Sequence, residues 1–218
     1  MYFASRMQAG RMLASQLAEK YQGKKCTVLA LNDGGIMVGA QIAQQLHCLL
    51  TLLVSAQIDL PREPEALAGI TLTGSMAYNE HYSRGEIDEM LGEYHGLVEQ
   101  EKMERMHDMN RLLGQGGMAD RTQLEGHNII VVADGLKTGF LVDLAFEFLK
   151  PISLAKFIIA VPFASVPAVD RMHIVADDLY CLDVIQDYID TDHYYEKKDI
   201  PEHDTVVKTI QEISSNWK

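Results

Sequence analysis

The stretch from Asn128 to Phe140 holds the residue types and spacing best suited to chemistry in this chain. An apolar, β-branched run over 129–132 breaks at Asp134 and Gly135, turns over four residues and enters a predicted helix at Thr138 and Gly139. Such a turn leaves main-chain N–H groups and a hydroxyl at a helix N-terminus, where the dipole favours an anion. Gly135, Leu136, Lys137, Thr138 and Gly139 are the candidate anion contacts, with Lys137 adding a positive charge. Asp134, at the carboxyl end of the strand, is placed to accept hydrogen bonds from sugar hydroxyls. Phosphate on the amides and ribose on the carboxylate is one reading; a tight turn in an αβ crossover is the other. A second Gly-bearing turn, made of Asn32, Asp33, Gly34 and Gly35, follows the apolar run 26–31.

These turns need a scaffold that brings strand ends together. Residues 4–20 are predicted helical, because Phe3, Met7, Gly10, Ala14, Leu17 and Tyr21 fall three or four apart, with Ser5 as the cap. A strand at 26–31, a helix from 36 to about 46 and a strand at 49–54 follow. The strands are continuously apolar rather than alternating, which signals a parallel sheet covered on both faces. Residues 55–95 are less regular: Pro61 and Pro64 mark a loop, 68–73 reads as a strand, and 74–95 is polar. A helix near 97–113 sets Val98, Met103, Met106, Met109 and Leu112 on one face as core or interface packing, and 114–117 ends it. A helix at 139–150, strands at 156–161 and around 179–182, and a helix at about 202–214 complete the series. The predicted fold is α/β, an open, doubly wound, mostly parallel sheet forming a single domain over 1–218, with a small insertion over about 55–95. Ligands are expected at the carboxyl ends of its strands.

Composition narrows the partners. With 47% hydrophobic and 23% charged residues the chain is ordinary for a soluble globular protein. Nineteen basic against 31 acidic side chains give a net charge of −12. That balance argues against a nucleic-acid or anionic-membrane surface, but not against a small phosphorylated ligand in a local nest of amides. Cys26, Cys48 and Cys181 lack CxxC spacing and read as reduced, mostly buried thiols. No basic-then-apolar leader and no membrane-length apolar run are present, so the cytoplasm is the expected location. The Met-rich helix and apolar surfaces suggest a homodimer.

Other constellations carry less. Gly34, Gly35 and Gly39 match neither a Walker A nor a dinucleotide fingerprint, and no Gly-x-Ser-x-Gly elbow or HxxxH pair occurs. Asp190, Asp192 and His193 read as an exposed polar turn rather than a metal site, and Asp177 and Asp178 as solvated charge. No metal ligands are assigned.

At its two Gly-bearing turns the chain resembles the type I phosphoribosyltransferases, whose signature is an apolar strand, two acidic residues and a loop ending Thr-Gly-x-Thr or Thr-Gly-x-Ser. Here the pair is Ala133 and Asp134, and the loop runs from Gly135 to Leu141. One bacterial branch resembles more of the chain. Its Phe-x-x-Arg-x-x-Ala-Gly opening is matched by Phe3, Arg6, Ala9 and Gly10, and its Leu-Pro-Arg-Gly-Gly turn by Leu31 to Gly35. A Lys-x-x-x-Pro-x-x-Pro-Glu-x-x-x-Gly stretch aligns with Gln57, Pro61, Pro64, Glu65 and Gly69, and the ending with an aromatic pair resembles Tyr194 and Tyr195 through Asp204. The similarity spans almost the whole chain.

The resemblance implies a site for phosphoribosyl pyrophosphate or a nucleoside monophosphate, with ligand-borne Mg²⁺. Residues 134–139 would hold the 5′-phosphate and ribose, with Asp134 as the catalytic residue. The turn Asn32, Asp33, Gly34, Gly35 would meet the pyrophosphate, and 74–95 would form a mobile hood. The implied reaction displaces pyrophosphate from C1 of the ribose by a base nitrogen, catalysed mainly by positioning and leaving-group stabilisation. Four departures weaken that reading. Asp33 stands where the branch carries Arg, Gln57 where it carries Lys, Ala133 replaces the first acidic residue and Leu141 the final hydroxyl. Each charge pair is worth about 4 kcal/mol at 4 Å in an effective dielectric near 20, so pentosyl transfer is expected to be weak or absent unless Asp33 is rescued by holding Mg²⁺. The first reading is a binder of a phosphorylated ribose ligand whose transferase activity is retained but altered. The alternative is a catalytically inactive, nucleotide-sensing or partner-binding homologue. Arg6 matches a branch position but has no role readable from sequence.

Overall fold

The computed structural model describes residues 2–113 and 124–216; the predicted helix stop at 114–117 lies outside them. The helices are α1 (Arg6–Tyr21), α2 (Asp33–Leu46), α3 (Arg84–Glu93), α4 (His95–Leu113), α5 (Phe140–Leu149), α6 (Val166–Val175) and α7 (His203–Asn216). The strands are β1 (Cys26–Ala30), β2 (Leu49–Leu52), β3 (Ser55–Ile58), β4 (Ala68–Thr71), β5 (Met76–Tyr78), β6 (Asn128–Val132), β7 (Lys156–Ser165) and β8 (Asp178–Ile185), with a 3-10 turn at Thr191–Tyr194. The chain divides into two compact units, one of Met1–Leu53, Gly117–Gly139 and Ile152–Lys218, the other of Val54–Gly116 and Phe140–Pro151.

The first unit is built on a five-stranded sheet in the order β2-β1-β6-β7-β8, parallel at every pairing. β1 and β6 are buried almost throughout because each has a parallel neighbour on both sides, which is what their unbroken apolar runs require. α2 packs on β1, β2 and β6, α6 on β7 and β8, and α1 on α2, β7 and β8. This is the α/β, doubly wound, mostly parallel architecture expected. β7 runs to Ser165, beyond the predicted end at 161: β6 pairs with it only to Ala160, and Pro162, which has no N–H to donate, stands just past that point. β8 is half-buried along most of its length, as an edge strand should be.

α1 keeps its predicted face at Phe3, Gly10, Ala14, Leu17 and Tyr21, all buried, and departs from it at Met7. Ser5 caps it as expected, its side chain accepting from the Gln8 amide. The buried face, however, includes Arg6, Ala9 and Leu13, while Met7 is 38% exposed. α6 escapes apolar periodicity, although Ser165 as N-cap and Pro167 in the first turn mark its start.

The second unit holds the antiparallel sheet β3-β4-β5 together with α3, α4 and α5. Its core gathers Ile58, Leu67, Ile70, Tyr82, Met90, Val98 and Met109. In the predicted methionine stripe Val98 and Met109 are buried and Met106 packs against the core, but Met103 is 73% exposed. α3 occupies part of the polar stretch predicted to be irregular, starting at a capping box between Ser83 and Glu86. Phe140 and Leu144 of α5 close over Ala77, and the Phe140 ring leaves no room for a side chain at Gly69.

The three cysteines are free thiols, two buried and Cys181 half-buried. Burial pushes Cys26 up to about 11, Cys48 to about 12 and Cys181 to about 11, so all three are protonated and unreactive at neutral pH.

Candidate functional site

The strand order of the first unit reverses between β1 and β6, and an open parallel sheet presents its ligand crevice at the carboxyl ends flanking such a reversal. Both Gly-bearing turns leave the sheet there. Leu31 extends the ladder by donating its amide to the Val132 carbonyl at 2.8 Å. Asn32 then caps α2: its side-chain oxygen accepts from the Gly35 amide at 2.7 Å, and its Nδ2 donates to Asp134 Oδ1 at 2.8 Å. Asp33 opens the first turn of α2, where the helix dipole favours its charge without any ligand.

Asp134 is not the open carboxylate its sequence position suggested. It is 3% exposed, and its second oxygen accepts from Arg6 Nε at 2.7 Å. Arg6 is itself fully buried, donating through Nη2 to Asp192 at 2.5 Å and through Nη1 to Asp199 at 3.1 Å. The Tyr195 ring lies 4.5 Å from the guanidinium carbon, and the Tyr195 hydroxyl donates to the Asp134 carbonyl oxygen at 2.5 Å. Burial opposes the Arg6 charge, but the carboxylates of Asp192, Asp134 and Asp199 outweigh it and hold the guanidinium above its ordinary range. Burial, then the Asp134 charge, keeps the Tyr195 hydroxyl protonated. Arg6 lies 128, 186 and 193 residues from its three partners, so no local pattern could have announced the cluster.

The turn after β6 is pinned on one side. A Cβ at Gly135 would meet the Phe163 ring at 2.6 Å and the Tyr188 hydroxyl at 2.7 Å. Burial raises that hydroxyl to about 12. The Leu136 amide, predicted to serve an anion, donates to the Phe163 carbonyl at 3.2 Å, and the Leu136 carbonyl accepts from Ser165 at 2.9 Å. Leu136 therefore continues the sheet and its amide is withdrawn from any ligand. Ser165 Oγ donates to the Lys137 carbonyl at 2.6 Å, while the Lys137 and Thr138 side chains are exposed. Gly139 is buried against the Arg171 side chain.

The remaining candidates divide. The predicted pyrophosphate turn owes its glycines to contacts within the protein. A Cβ at Gly34 would fall 2.5 Å from the Asp134 carboxyl carbon, and one at Gly35 would fall 2.8 Å from Asn32 Oδ1 and 2.9 Å from the Val132 carbonyl. Ala133 is wholly buried, and Gln57 is exposed on β3 of the second unit. The turn predicted to be merely polar splits: Asp190 caps the 3-10 turn by accepting from the His193 amide at 2.9 Å, whereas Asp192 is bound to Arg6. Among the described residues no group of three or more His, Cys, Asp and Glu side chains could hold a metal ion.

An open α/β sheet with two strand-end turns meeting at its reversal belongs to the doubly wound class, whose ligand crevice lies at that point. The chain belongs to the phosphoribosyl transferase domain family, whose profile matches residues 3–197. Relatives from two strains of Mycobacterium tuberculosis, provisionally named phosphoribosyl transferases, are 30% identical over 182 residues, covering 83% of this chain and 40% of theirs. The chain thus spans 40% of the length of those curated relatives. Among solved structures, a Thermus thermophilus protein matches with a TM-score of 0.73 at 21% identity, over 97% of this chain and 99% of that one. A hypoxanthine phosphoribosyltransferase from Staphylococcus aureus matches at 0.50 and 14% identity, over 86% and 78%. These two share the fold. No helix among the described residues is long and apolar enough to cross a membrane.

Proposed function

We propose that the first unit binds a small molecule carrying a ribose 5-phosphate group at the β1–β6 reversal. Lys137 and Thr138 take the phosphate, and Asp134 receives ribose hydroxyls through the lone pairs that Arg6 and Asn32 leave unused. The observation that carries the reading is the junction of the two turns, Asn32 to Asp134 at 2.8 Å, beside a loop whose Lys137 and Thr138 side chains are exposed. The ligand is phosphoribosyl pyrophosphate or a nucleoside monophosphate. In transfer from the former, a base nitrogen bonds to C1 as the C1–oxygen bond breaks and pyrophosphate leaves with the electron pair. Magnesium belongs to that donor and arrives on its pyrophosphate.

Binding without efficient transfer is the second reading, and a specific observation favours it. The Asp134 charge is already matched by Arg6, the first acidic position is a core alanine, and Asp33 adds a negative charge where the leaving group would sit. Calorimetry with phosphoribosyl pyrophosphate and with nucleoside monophosphates, each with and without Mg²⁺, separates the readings. Tight, Mg²⁺-dependent donor binding supports transfer, and binding of monophosphates alone supports the silent nucleotide binder. No heat in any titration overturns both. Lys137→Ala combined with Thr138→Val should weaken whichever ligand binds by about 2–4 kcal/mol, from lost charge-assisted hydrogen bonds. Unchanged affinity would remove the phosphate from this loop.

A further inference from the structure

Arg6 sits where elementary electrostatics argues against it. It is the first residue of α1, where the helix dipole disfavours a cation, and it has no exposed surface. Burying an unmatched charge is strongly unfavourable, and an apolar residue of similar volume would seat a helix at lower cost. The guanidinium is matched instead by three carboxylates from separate segments: Asp134 at the end of β6, Asp192 in the 3-10 turn, and Asp199 beyond it. Each of its three nitrogens takes a different carboxylate and Tyr195 covers its face, so its orientation is fixed in every direction. The main chain repeats the linkage. The Phe3 amide donates to the Tyr194 carbonyl at 3.0 Å, the Glu196 amide donates to the Phe3 carbonyl at 2.9 Å, and the Tyr195 hydroxyl reaches the Asp134 carbonyl.

We infer that Arg6 is a positioning residue that sets the Asp134 carboxylate for a ribosyl hydroxyl and makes that setting depend on the docking of segment 191–199. With Asp192 and Asp199 in place the guanidinium cannot turn, and Asp134 Oδ2 stays on Nε while Asn32 fixes Oδ1. With the segment detached, two guanidinium nitrogens lose their acceptors and the arginine is free to follow the departing carboxylates. A lysine cannot substitute, because one ammonium on a flexible stem does not reproduce three fixed donor directions. The sugar identity rests on the proposed function; the coupling between segment and turn does not.

The test uses two probes and one ligand-free measurement. Asp199→Asn removes a carboxylate that is 25% exposed and lies outside the proposed phosphate loop, and Arg6→Lys keeps the charge. Both should weaken ribose 5-phosphate by about tenfold while leaving inorganic phosphate within about twofold, because the phosphate alone does not use Asp134. Equal loss of both probes would mean a general structural role and overturns the positioning role. Amide hydrogen exchange without ligand should rise together in 191–199 and at 134–136 in Asp199→Asn. A rise confined to 191–199 overturns the coupling. Should wild-type protein bind neither probe, the ribose reading itself fails, and the exchange result still decides the coupling.

Discussion

A methyl group at Gly34 would lie 2.5 Å from the Asp134 carboxyl carbon and 2.8 Å from Arg6 Nε. Both distances are shorter than any relaxed contact, and neither neighbour can retreat, since the carboxylate is held at both oxygens and the guanidinium at all three nitrogens. Gly34→Ala gains about 1 kcal/mol of helix propensity. Against this stands an overpacking cost of about 1–3 kcal/mol and the displacement of a buried charge pair, whose separation is costly in itself. The expected outcome is a net loss of stability in urea unfolding at neutral pH. A variant as stable as wild type would show that the Arg6–Asp134 pair does not pack against α2 as described. Gly34 and Gly35 are thus required by the protein's own packing, whatever meets their backbone amides.

Among the elements, β8 shows how an edge strand is fastened. Asp178, its first residue, accepts from Lys20 at 2.5 Å, from Lys156 at 2.7 Å and from the Tyr21 hydroxyl, tying the strand to α1 and β7. Those three hydrogen bonds, from Lys156, Lys20 and Tyr21 in that order, hold the Asp178 carboxyl well below the usual carboxylate range. A carboxyl depressed in the folded state contributes stability above its unfolded value of about 4 and loses it as pH falls through the folded value. Asp178→Asn should therefore be less stable than wild type at neutral pH, and the gap should close progressively below about pH 4. A gap that stays constant into acid would assign the effect to packing instead of charge. In sequence Asp178 reads as solvated charge, because its lysine partners lie 158 and 22 residues away. The pattern holds across the elements. β1, β2 and β6 were legible because a central parallel strand must be apolar on both faces, and that demand is written locally. α3 and α6 were missed although both begin with local cap chemistry, Ser83 with Glu86 and Ser165 with Pro167, because little of either helix is buried and apolar periodicity is weak there. The two site turns were legible as strand-to-helix junctions. The loss of the Leu136 amide to β7 was not, since it depends on β7 outrunning β6 past Pro162.

For the molecule as a whole the net charge of −12 and the proposed phosphate ligand pull in opposite directions. Long-range repulsion opposes the approach of any anion, while the local loop with Lys137, against which the Arg171 side chain packs at Gly139, favours it. Added salt screens the long-range part over a Debye length of about 10 Å at 0.1 M, while contacts inside a crevice are screened much less. The Arg6 cluster adds to the same asymmetry, because one guanidinium faces three carboxylates and leaves a local excess of negative charge. The association rate constant for ribose 5-phosphate should accordingly stay level or rise as salt increases from about 0.05 to 0.2 M, the reverse of a protein that neutralises many phosphates, whose affinity falls steeply over that range. Stopped-flow measurement at several salt concentrations reads this directly. A steep fall in rate with salt would require a basic footprint large enough to overcome twelve excess negative charges, more than the proposed seat at Lys137 and Thr138 supplies.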